Sequence, residues 1–226
     1  MPGISIALSM TSFTVPHIPL VERLKSGTAA MHRRVERSAF MSRLLHGEIE
    51  RGSYIGLLRN LRAVYGALEA ALLRQSADPV VAPLVLPELF RCQALDLDIQ
   101  VLAGRQADFK PPLRPATVQY VERLNELDVT APTLLVAHAY VRYLGDLNGG
   151  QALRRIVARG LCLEGSSGTM FYDFGDDAGL RQLTSRFRNG LGAVEARTQD
   201  TDAIVAEAVS AFERHEAMFE QLALSA

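Results

Sequence analysis

The sequence predicts an all-α protein built as a single multi-helix domain. Apolar residues recur mostly three and four positions apart, with little sustained alternation, and this spacing is typical of amphipathic helices. Prolines and glycines divide the pattern into segments of helical length. The 226-residue chain is 48% hydrophobic and has a net charge of −1. It is therefore long enough for one sizeable core, and its composition is not that of a disordered protein.

Composition and chain ends exclude several classes of protein. We expect residues 1–18 to form a flexible tail before a domain that spans residues 19–226. The tail has no Lys or Arg and so lacks the basic start of a secretory signal, and no run of about 18 apolar residues or membrane anchor follows. The near-neutral charge gives no support for nucleic-acid binding. Cys92 and Cys162 form no CxxC pair, which favours a reducing, cytoplasmic location.

In the N-terminal half, the first helix should begin near Pro19, a residue suited to a first helical turn. It is expected to run without a break through the region 40–45 and to stop at Gly47. Three prolines make residues 78–87 irregular. The predicted helices of this half cover residues 19–45, 54–74 and 88–102.

In the C-terminal half, prolines within residues 111–115 interrupt the chain before the next helix. Thr130 is expected to cap the helix that follows, with Pro132 in its first turn, and this helix should end near Gly160. Residues 165–168 are rich in glycine and serine and indicate a loop. The predicted helices of this half cover residues 116–127, 131–160, 178–191 and 201–222.

The most informative segment is residues 138–151, HAYVRYLGDLNGGQ, because it places three glycines inside a predicted helix. Each interior glycine costs about 1 kcal/mol relative to alanine. The segment therefore indicates a helix that must lack side chains on part of its surface and whose backbone must be able to bend. At about 100° per residue, one side carries His138, Arg142, Gly145, Asp146 and Gly149. The opposite side carries Val136, Tyr140, Tyr143, Leu144 and Leu147.

Two interpretations of the glycine face are open. Gly145 and Gly149 form a GxxxG pair that could simply allow tight packing between two helices. Alternatively, the bare backbone lets the helix approach a flat ligand. Arg142 and Asp146, four residues apart, are either an ordinary ion pair or charged groups that organise water beside that ligand.

Among the five histidines, His32 is the best candidate for a metal ligand, because Glu36 lies one helical turn later. At that spacing a carboxylate can accept from one ring nitrogen and leave the other for a metal. A satisfied core or surface histidine is the alternative. The sequence has no second His or Cys at zinc-ligand spacing and no Glu-x-x-His pair for a di-iron bundle. Heme (haem) iron needs only one such nitrogen, and a flat glycine helix opposite it would complete a heme sandwich.

Three motifs in the chain resemble those of the heme oxygenase family. Residues 24–32, together with Glu36, are similar to the family's proximal-helix motif. The segment VYGALE at 64–69 is similar to its second-helix motif, and LLVAHAYVRYLGDLNGGQ at 134–151 matches its distal-helix signature almost letter for letter. The resemblance extends from about residue 19 to residue 224.

The resemblance implies a fold in which heme is held between a proximal helix and a kinked distal helix. It implies that His32 is the axial ligand of the iron and that Glu36 fixes the imidazole ring. Gly145 and Gly149 would let the distal helix pass close over the iron and flex as substrate enters and product leaves.

The resemblance also implies an enzyme that cleaves heme to biliverdin, carbon monoxide and ferrous iron with dioxygen and electrons from a reductant. Heme is then both substrate and cofactor. Asp146 would hold a water beside bound dioxygen, and the hydrogen-bond network around it would be completed by Arg142, Tyr65 and Tyr120.

For the heme propionates, the resemblance points to Lys25, Tyr140 and Arg181. The alternatives are that the two cations are ordinary solvated charges and that Tyr140 is a core aromatic. The family's common arginine one turn after the Arg181 position is Ser185 in this chain, so Arg186 or Arg188 is expected to replace it.

Two further departures from the family concern other helices. Ala29 stands where a basic residue often precedes the proximal histidine. His215 stands where an asparagine usually joins the distal network, and it could either hydrogen-bond there or be structural.

Residues 21–43 carry a local net charge of +4. Such a cluster is either a solvated face or a docking site for an acidic electron donor such as a ferredoxin, a flavodoxin or a reductase. The cations are Arg23, Lys25, Arg33, Arg34, Arg37 and Arg43. Two other functions remain as alternatives to the enzyme: a non-catalytic heme sensor or carrier, which would not need Asp146, and a helical scaffold that binds a protein partner and no heme.

Overall fold

The computed structural model describes residues 17–104 and 112–224. These residues form nine α-helices and contain no β-strand, which confirms the all-α prediction. The bounds are α1 Leu20–Glu36, α2 Ala39–His46, α3 Arg51–Arg74, α4 Cys92–Ala103, α5 Pro115–Thr130, α6 Leu135–Ala139, α7 Gly145–Gly160, α8 Asp177–Glu195 and α9 Thr201–Ala223. The segment that joins α6 to α7, Tyr140–Leu144, is a π-helix.

The long helix α3 contributes a large part of the buried core. Its inner face is fully buried and packs against α4 and α5, while α9 packs along α1 and α5. The core combines aliphatic side chains with a few large aromatic ones, such as Tyr54, Tyr65 and Phe187. Burial of this apolar surface is the main source of stability in a fold of this kind. No helix in the described part of the chain is long and apolar enough to cross a membrane.

The prediction of one unbroken helix over residues 19–45 is wrong. The backbone becomes extended at Ser38, and the Ser38 hydroxyl accepts a hydrogen bond from the Met41 backbone N–H at 3.4 Å to cap the new helix α2. Gly47, at φ 74°, then ends α2 in the left-handed conformation that favours glycine. The break turns α2 away from α1 and onto α7 and α9.

Two other boundaries differ from the sequence prediction. Thr130 does not cap the following helix, because it is the last residue of α5 and its hydroxyl bonds back to the Glu126 carbonyl at 2.9 Å. The helix expected from residue 88 begins at Cys92, after a 3₁₀ turn over Pro87–Leu89. The tail prediction for residues 1–18 lies almost wholly outside the described residues, and the 19–226 domain boundary stays a prediction.

Candidate functional site

A cavity of about 910 Å³ opens between α1 on one side and the helix formed by α6, the π-segment and α7 on the other. Helix α9 closes its inner end. The walls are mainly apolar, and charged side chains lie at the rim and at one inner corner. The apolar lining includes Leu44, Leu57, Leu61, Phe171, Phe212 and Phe219.

His32, on α1, lines this cavity. Its Nδ1 atom lies 3.4 Å from Oε2 of Glu36, one turn later, and the imidazole meets Phe212 edge-on at 5.9 Å between ring centroids. The His32 side chain is 55% exposed and that of Glu36 is 52% exposed. The structure therefore brings the predicted ligand pair together on the cavity wall, with Nε2 as the ring nitrogen that remains for a ligand.

The glycine face forms the opposite wall. A Cβ atom added at Gly145 or Gly149 would meet no atom within 4 Å, so neither glycine is required for contact with another helix. Both line the cavity. The helix-packing interpretation is therefore wrong for this GxxxG pair. At Gly150 an added Cβ would meet Tyr172 at 3.7 Å, an ordinary contact distance, whereas at Gly160 it would lie 2.5 Å from the Gly47 carbonyl oxygen, so close packing in α7 depends on Gly160.

The π-segment corrects the predicted faces of this helix. A π-turn inserts one extra residue into an α-helix, so everything beyond it is rotated by about 100° relative to a regular helix. As a result Tyr140 and Leu144 lie on the cavity side with Gly145 and Gly149, rather than opposite them. His138, which the regular spacing placed with the glycines, is fully buried away from the cavity.

Three buried polar groups form a connected network at the inner corner of the cavity. The Tyr65 hydroxyl donates to Oδ2 of Asp146, and it accepts from Nε and Nη2 of Arg142 at 3.1 and 3.0 Å. Arg142 Nη2 also lies 3.4 Å from Oδ1 of Asp146. The Arg142 and Asp146 side chains are only 9% and 8% exposed. Arg142 and Asp146 line the cavity, and Tyr65 supports them from behind.

The electrostatics of this network determine which of its groups keep a proton and which accept hydrogen bonds. Burial raises the pKa of the Asp146 carboxyl, and the Arg142 charge and the Tyr65 hydroxyl oppose that rise. Burial also raises the pKa of Tyr65 well above its ordinary value, so the hydroxyl keeps its proton. Burial lowers the pKa of Arg142, but the neighbouring Tyr65 and Asp146 outweigh it and raise the pKa overall.

A second buried cluster, which the sequence did not predict, lies near the network, close enough for Tyr120 and Arg142 to influence each other's pKa. His138 Nε2 lies 3.0 Å from Oε1 of Glu207 and its Nδ1 lies 3.2 Å from the Tyr120 hydroxyl. Burial lowers the pKa of His138, which favours the neutral ring. A neutral ring satisfies both contacts when Nε2–H donates to Glu207 and Nδ1 accepts from Tyr120.

Glu207 also accepts from Arg123. Burial alone would raise the pKa of Glu207, but hydrogen bonds from His138 and Arg123 lower it to about 2. Burial raises the pKa of Tyr120 to about 12, although nearby Arg142 opposes the rise. Tyr120 therefore stays a donor that is anchored by His138 and does not line the cavity.

At the open edge, the cavity is lined by Lys25, Tyr140 and Arg188. Arg181 is exposed and lies outside the lining. Arg186 is also directed elsewhere, because its Nη1 pairs with Glu88 Oε1 at 2.6 Å. Of the two arginines considered as replacements for the one missing at Ser185, only Arg188 reaches the cavity.

Comparison with known proteins places this arrangement in a family. A family model described as "Heme oxygenase" matches residues 18–221. Heme oxygenase 1 of Nostoc sp. is 35% identical over 203 residues, which is 90% of this chain and 85% of the relative. The crystal structure of heme oxygenase-1 from Synechocystis sp. in complex with heme has a TM-score of 0.84 at 34% identity, covering 91% of this chain and 92% of that chain.

The structure of heme oxygenase from Leptospira interrogans gives a TM-score of 0.83 at 34% identity, covering 90% of this chain and 99% of that chain. The family model thus spans the chain from just before α1 to within α9, and the relatives and structures each cover about nine-tenths of it. The chain belongs to the heme oxygenase family.

Proposed function

We propose that the protein is a heme oxygenase that cleaves heme to biliverdin, carbon monoxide and ferrous iron, consuming dioxygen and electrons. The observation that carries this proposal is the position of the buried Asp146–Tyr65–Arg142 network, which lies on the glycine wall of the cavity that His32 lines from α1. A non-catalytic heme carrier would need His32 and the glycine wall, but it would have no use for a buried carboxylate beside the ligand.

The cavity fits a flat apolar ring with a charged edge. Its volume of about 910 Å³ is within the usual range for ligand sites. Gly145 and Gly149 leave open space where any other residue would place a Cβ atom, and apolar side chains supply most of the remaining lining. The two propionates of a porphyrin require cations at the rim, where Lys25 and Arg188 are found.

His32 is the proposed axial ligand of the heme iron. Glu36 beside Nδ1 would fix the ring orientation and make Nε2 a better donor to the metal. The high exposure of both side chains is what an axial ligand should show before the heme covers it.

Asp146 is the proposed proton-handling residue. Bound heme supplies the iron centre at which dioxygen is activated. Each Asp146 oxygen already accepts one hydrogen bond, from Tyr65 or from Arg142, and keeps further lone pairs for a water on the cavity side. If the carboxylate holds a water molecule between itself and the reacting oxygen, the proton donor is that water, which is a weaker acid than a carboxylic acid in direct contact would be. Arg142 and Tyr65 would keep Asp146 in that position, whereas the Tyr120 hydroxyl bonds His138 instead.

At the rim, Arg188 together with Lys25 and Tyr140 is proposed to bind the propionates; Arg181, which does not line the cavity, is left out of this proposal. Burial raises the pKa of Tyr140, so its hydroxyl stays protonated and can donate to a carboxylate. Because the propionates set the rotation of heme in the cavity, these three residues should also decide which edge of the porphyrin is cut.

The electron donor is proposed to be an acidic protein, such as a ferredoxin, a flavodoxin or a reductase, that docks on α1. Two of the six cations of residues 21–43 are already paired with α9, Arg23 with Asp202 and Arg34 with Glu216. Arg37 borders a separate surface cavity of about 580 Å³, and Arg33 lines both that cavity and the proposed heme cavity; neither arginine forms an ion pair within the described residues. Reversing the charge of Arg37, which does not line the heme cavity, should slow donor-driven turnover and reduce its salt dependence, while turnover with a small-molecule reductant stays unchanged.

The location proposed for the protein is the cytoplasm. Cys92 and Cys162 are both unpaired, and Cys162 is exposed, which suits a reducing compartment.

One experiment separates the three functions. The purified protein is mixed with hemin, and a reductant is then added in air. The enzyme is expected to give a sharp Soret band that is replaced by the spectrum of biliverdin. A band that persists would identify a carrier, and the absence of any band would exclude both heme functions.

A further inference from the structure

Two aromatic side chains of the cavity lining, Phe171 and Tyr172, lie outside the α-helices. They belong to a 3₁₀ turn over Met170–Tyr172, and residues 169–174 around this turn are called the inner segment below. Phe171 packs edge-on against Tyr65, with 5.5 Å between ring centroids, and so lies at the inner corner of the cavity. Because a single 3₁₀ turn is not stable by itself, contacts from other elements must hold these side chains in place.

Asp98, on α4, holds the start of this turn. Its side chain is completely buried, and it does not line the cavity. Oδ1 accepts from the Met170 backbone N–H at 2.8 Å, and Oδ2 accepts from the Phe171 backbone N–H at 2.7 Å. Both carboxylate oxygens are therefore used on two consecutive amides. A charged acceptor forms stronger hydrogen bonds than a neutral one, so these bonds link α4 strongly to the inner segment.

The end of the inner segment is held by two arginines. Arg91, immediately before α4, is buried and donates from Nη1 to the Asp173 carbonyl at 2.8 Å. Arg154 of α7 pairs with the Asp173 carboxylate, with 3.2 Å between Nη1 and Oδ2. The arginines thus hold the residues beyond the turn, whereas Asp98 holds the backbone that carries Phe171.

We propose that Asp98 is a positioning residue for the inner wall of the cavity: by accepting from two backbone amides it determines where Phe171 and Tyr172 lie, and so how far a flat ligand can enter. Asp98 itself neither touches the ligand nor transfers a proton. That the ligand is heme rests on the proposed function. The hold of Asp98 on the inner segment belongs to the protein without heme and can be measured there.

The test compares Asp98→Asn with Asp96→Asn. Asparagine keeps the shape of aspartate, but one acceptor oxygen becomes an NH₂ donor that faces a backbone N–H, so packing is retained while one of the two hydrogen bonds is lost. Asp96, also on α4, has a side chain that is 57% exposed and pairs with Arg62, and it controls for the loss of a charge from this helix. Amide hydrogen exchange of the heme-free protein, measured by NMR, reports on the inner segment, and hemin titration reports on the cavity.

In Asp98→Asn we expect the amides of Met170 and Phe171 to exchange about 10- to 100-fold faster than in the parent protein, while the amides of α4 are unchanged. Hemin affinity should fall about tenfold, because the inner wall is no longer held in one arrangement before the ligand binds. The proportions of the biliverdin isomers should shift as well, since a looser wall admits more than one rotation of the ring. Asp96→Asn should show none of these changes.

A double variant separates positioning from a general loosening of the fold. Phe171→Leu removes the ring that the turn places against Tyr65. If Asp98 acts through this ring, adding Asp98→Asn to Phe171→Leu should lower hemin affinity less than about threefold further, because the two changes are not additive. A further loss as large as that of Asp98→Asn alone would contradict the positioning role.

Unchanged exchange at Met170 and Phe171 in Asp98→Asn would overturn the inference, and so would hemin affinity equal to that of the parent. If Asp98→Asn does not fold, Arg154→Gln takes its place, because it frees the partly exposed Asp173 from α7 and should give the same pattern at a smaller size. Failure of the proposed function has a different signature: the parent protein itself would then form no biliverdin, while the exchange results still stood.

Discussion

The two walls of the cavity are built in opposite ways. On α1, the side chains of His32 and Glu36 are more than half exposed and contact little besides each other and Phe212. On the distal side, Arg142 and Asp146 are almost fully buried and already joined to Tyr65, and Arg142 also contacts His215 of α9. The proximal wall is thus completed by its ligand, whereas the distal wall is assembled by the fold alone.

This difference has an energetic reason. A single imidazole that will bind a metal can remain exposed to solvent in the ligand-free protein at little cost in free energy. A guanidinium and a carboxylate that are buried in the folded protein lose their hydration, so the fold itself must provide partners for their hydrogen bonds. Buried polar contacts are therefore found on the distal wall, where proton positions matter, and the proximal wall around His32 stays open to solvent.

The largest effect is expected from His32→Ala. Removing the proposed iron ligand should abolish biliverdin formation and weaken hemin binding. Because the side chain is exposed, the free energy of unfolding should change by no more than about 0.5 kcal/mol. Hemin titration, turnover and chemical denaturation measure the three quantities. His46→Ala, another exposed histidine near the end of α2, is the control. Turnover at the parent rate in His32→Ala would refute the axial role.

Asp146→Ala tests the distal wall. Loss of the carboxylate should reduce the yield of biliverdin about 100-fold or more, since a positioned proton-handling group contributes about 10²–10⁴-fold to rate. Hemin affinity should remain close to that of the parent, because Asp146 does not hold the ring. Removal of an exposed carboxylate by Asp96→Ala provides the comparison. A normal yield of biliverdin from Asp146→Ala would contradict the proposed role of its water.

Gly149→Ala is expected to separate stability from binding. The new methyl group meets no protein atom, so the heme-free protein should gain up to about 1 kcal/mol from the better helix former. The same methyl occupies the ligand's space, and hemin affinity should fall about tenfold or more. Gly150 does not line the cavity, and the methyl of Gly150→Ala would meet Tyr172 only at the ordinary contact distance of 3.7 Å, so this variant should leave hemin affinity unchanged. Equal affinities for the two variants would show that the glycine face is not a ligand surface.

The last prediction concerns stability rather than heme chemistry, in the cluster behind the distal wall. The pKa of Glu207 is lowered from 4.5 to about 2 in the folded protein. The paired carboxylate therefore adds stability at pH values above 4.5, and this contribution is lost as the pH falls from 4.5 toward 2. Denaturation measured across that pH range should show that the free energy of unfolding falls more steeply with decreasing pH in the parent than in Glu207→Gln. Parallel curves for the two proteins would exclude the pairing.

Much of this molecule could be predicted from the sequence. Helical periodicity predicted most of the elements, and the resemblance in residues 24–36 and 134–151 named the pair His32–Glu36 and the group Arg142–Asp146. The missed features depend on contacts between distant segments. Nothing local to Glu207 indicates that it meets His138, and nothing near Arg188 shows that it reaches the cavity while Arg181 does not.

Local backbone geometry caused the remaining errors. The Ser38 break and the π-segment are each a change at a few residues in an otherwise helical pattern, and a regular 3.6-residue period does not predict them. The π-segment had the larger consequence, because a regular period gives the wrong rotation between the residues of α6 and those of α7.

That π-segment makes the site sensitive to chain length as well as to residue identity. Deleting a single residue within Tyr140–Leu144 would allow a regular α-helix and would change neither the composition of α7 nor its helix-forming tendency. Yet the Gly145–Gly160 segment would then be rotated by about 100° relative to α6. Gly145 and Gly149 would leave the cavity wall. Loss of the codon for Tyr143, which does not line the cavity, would therefore remove the binding surface while every proposed site residue remained in the gene.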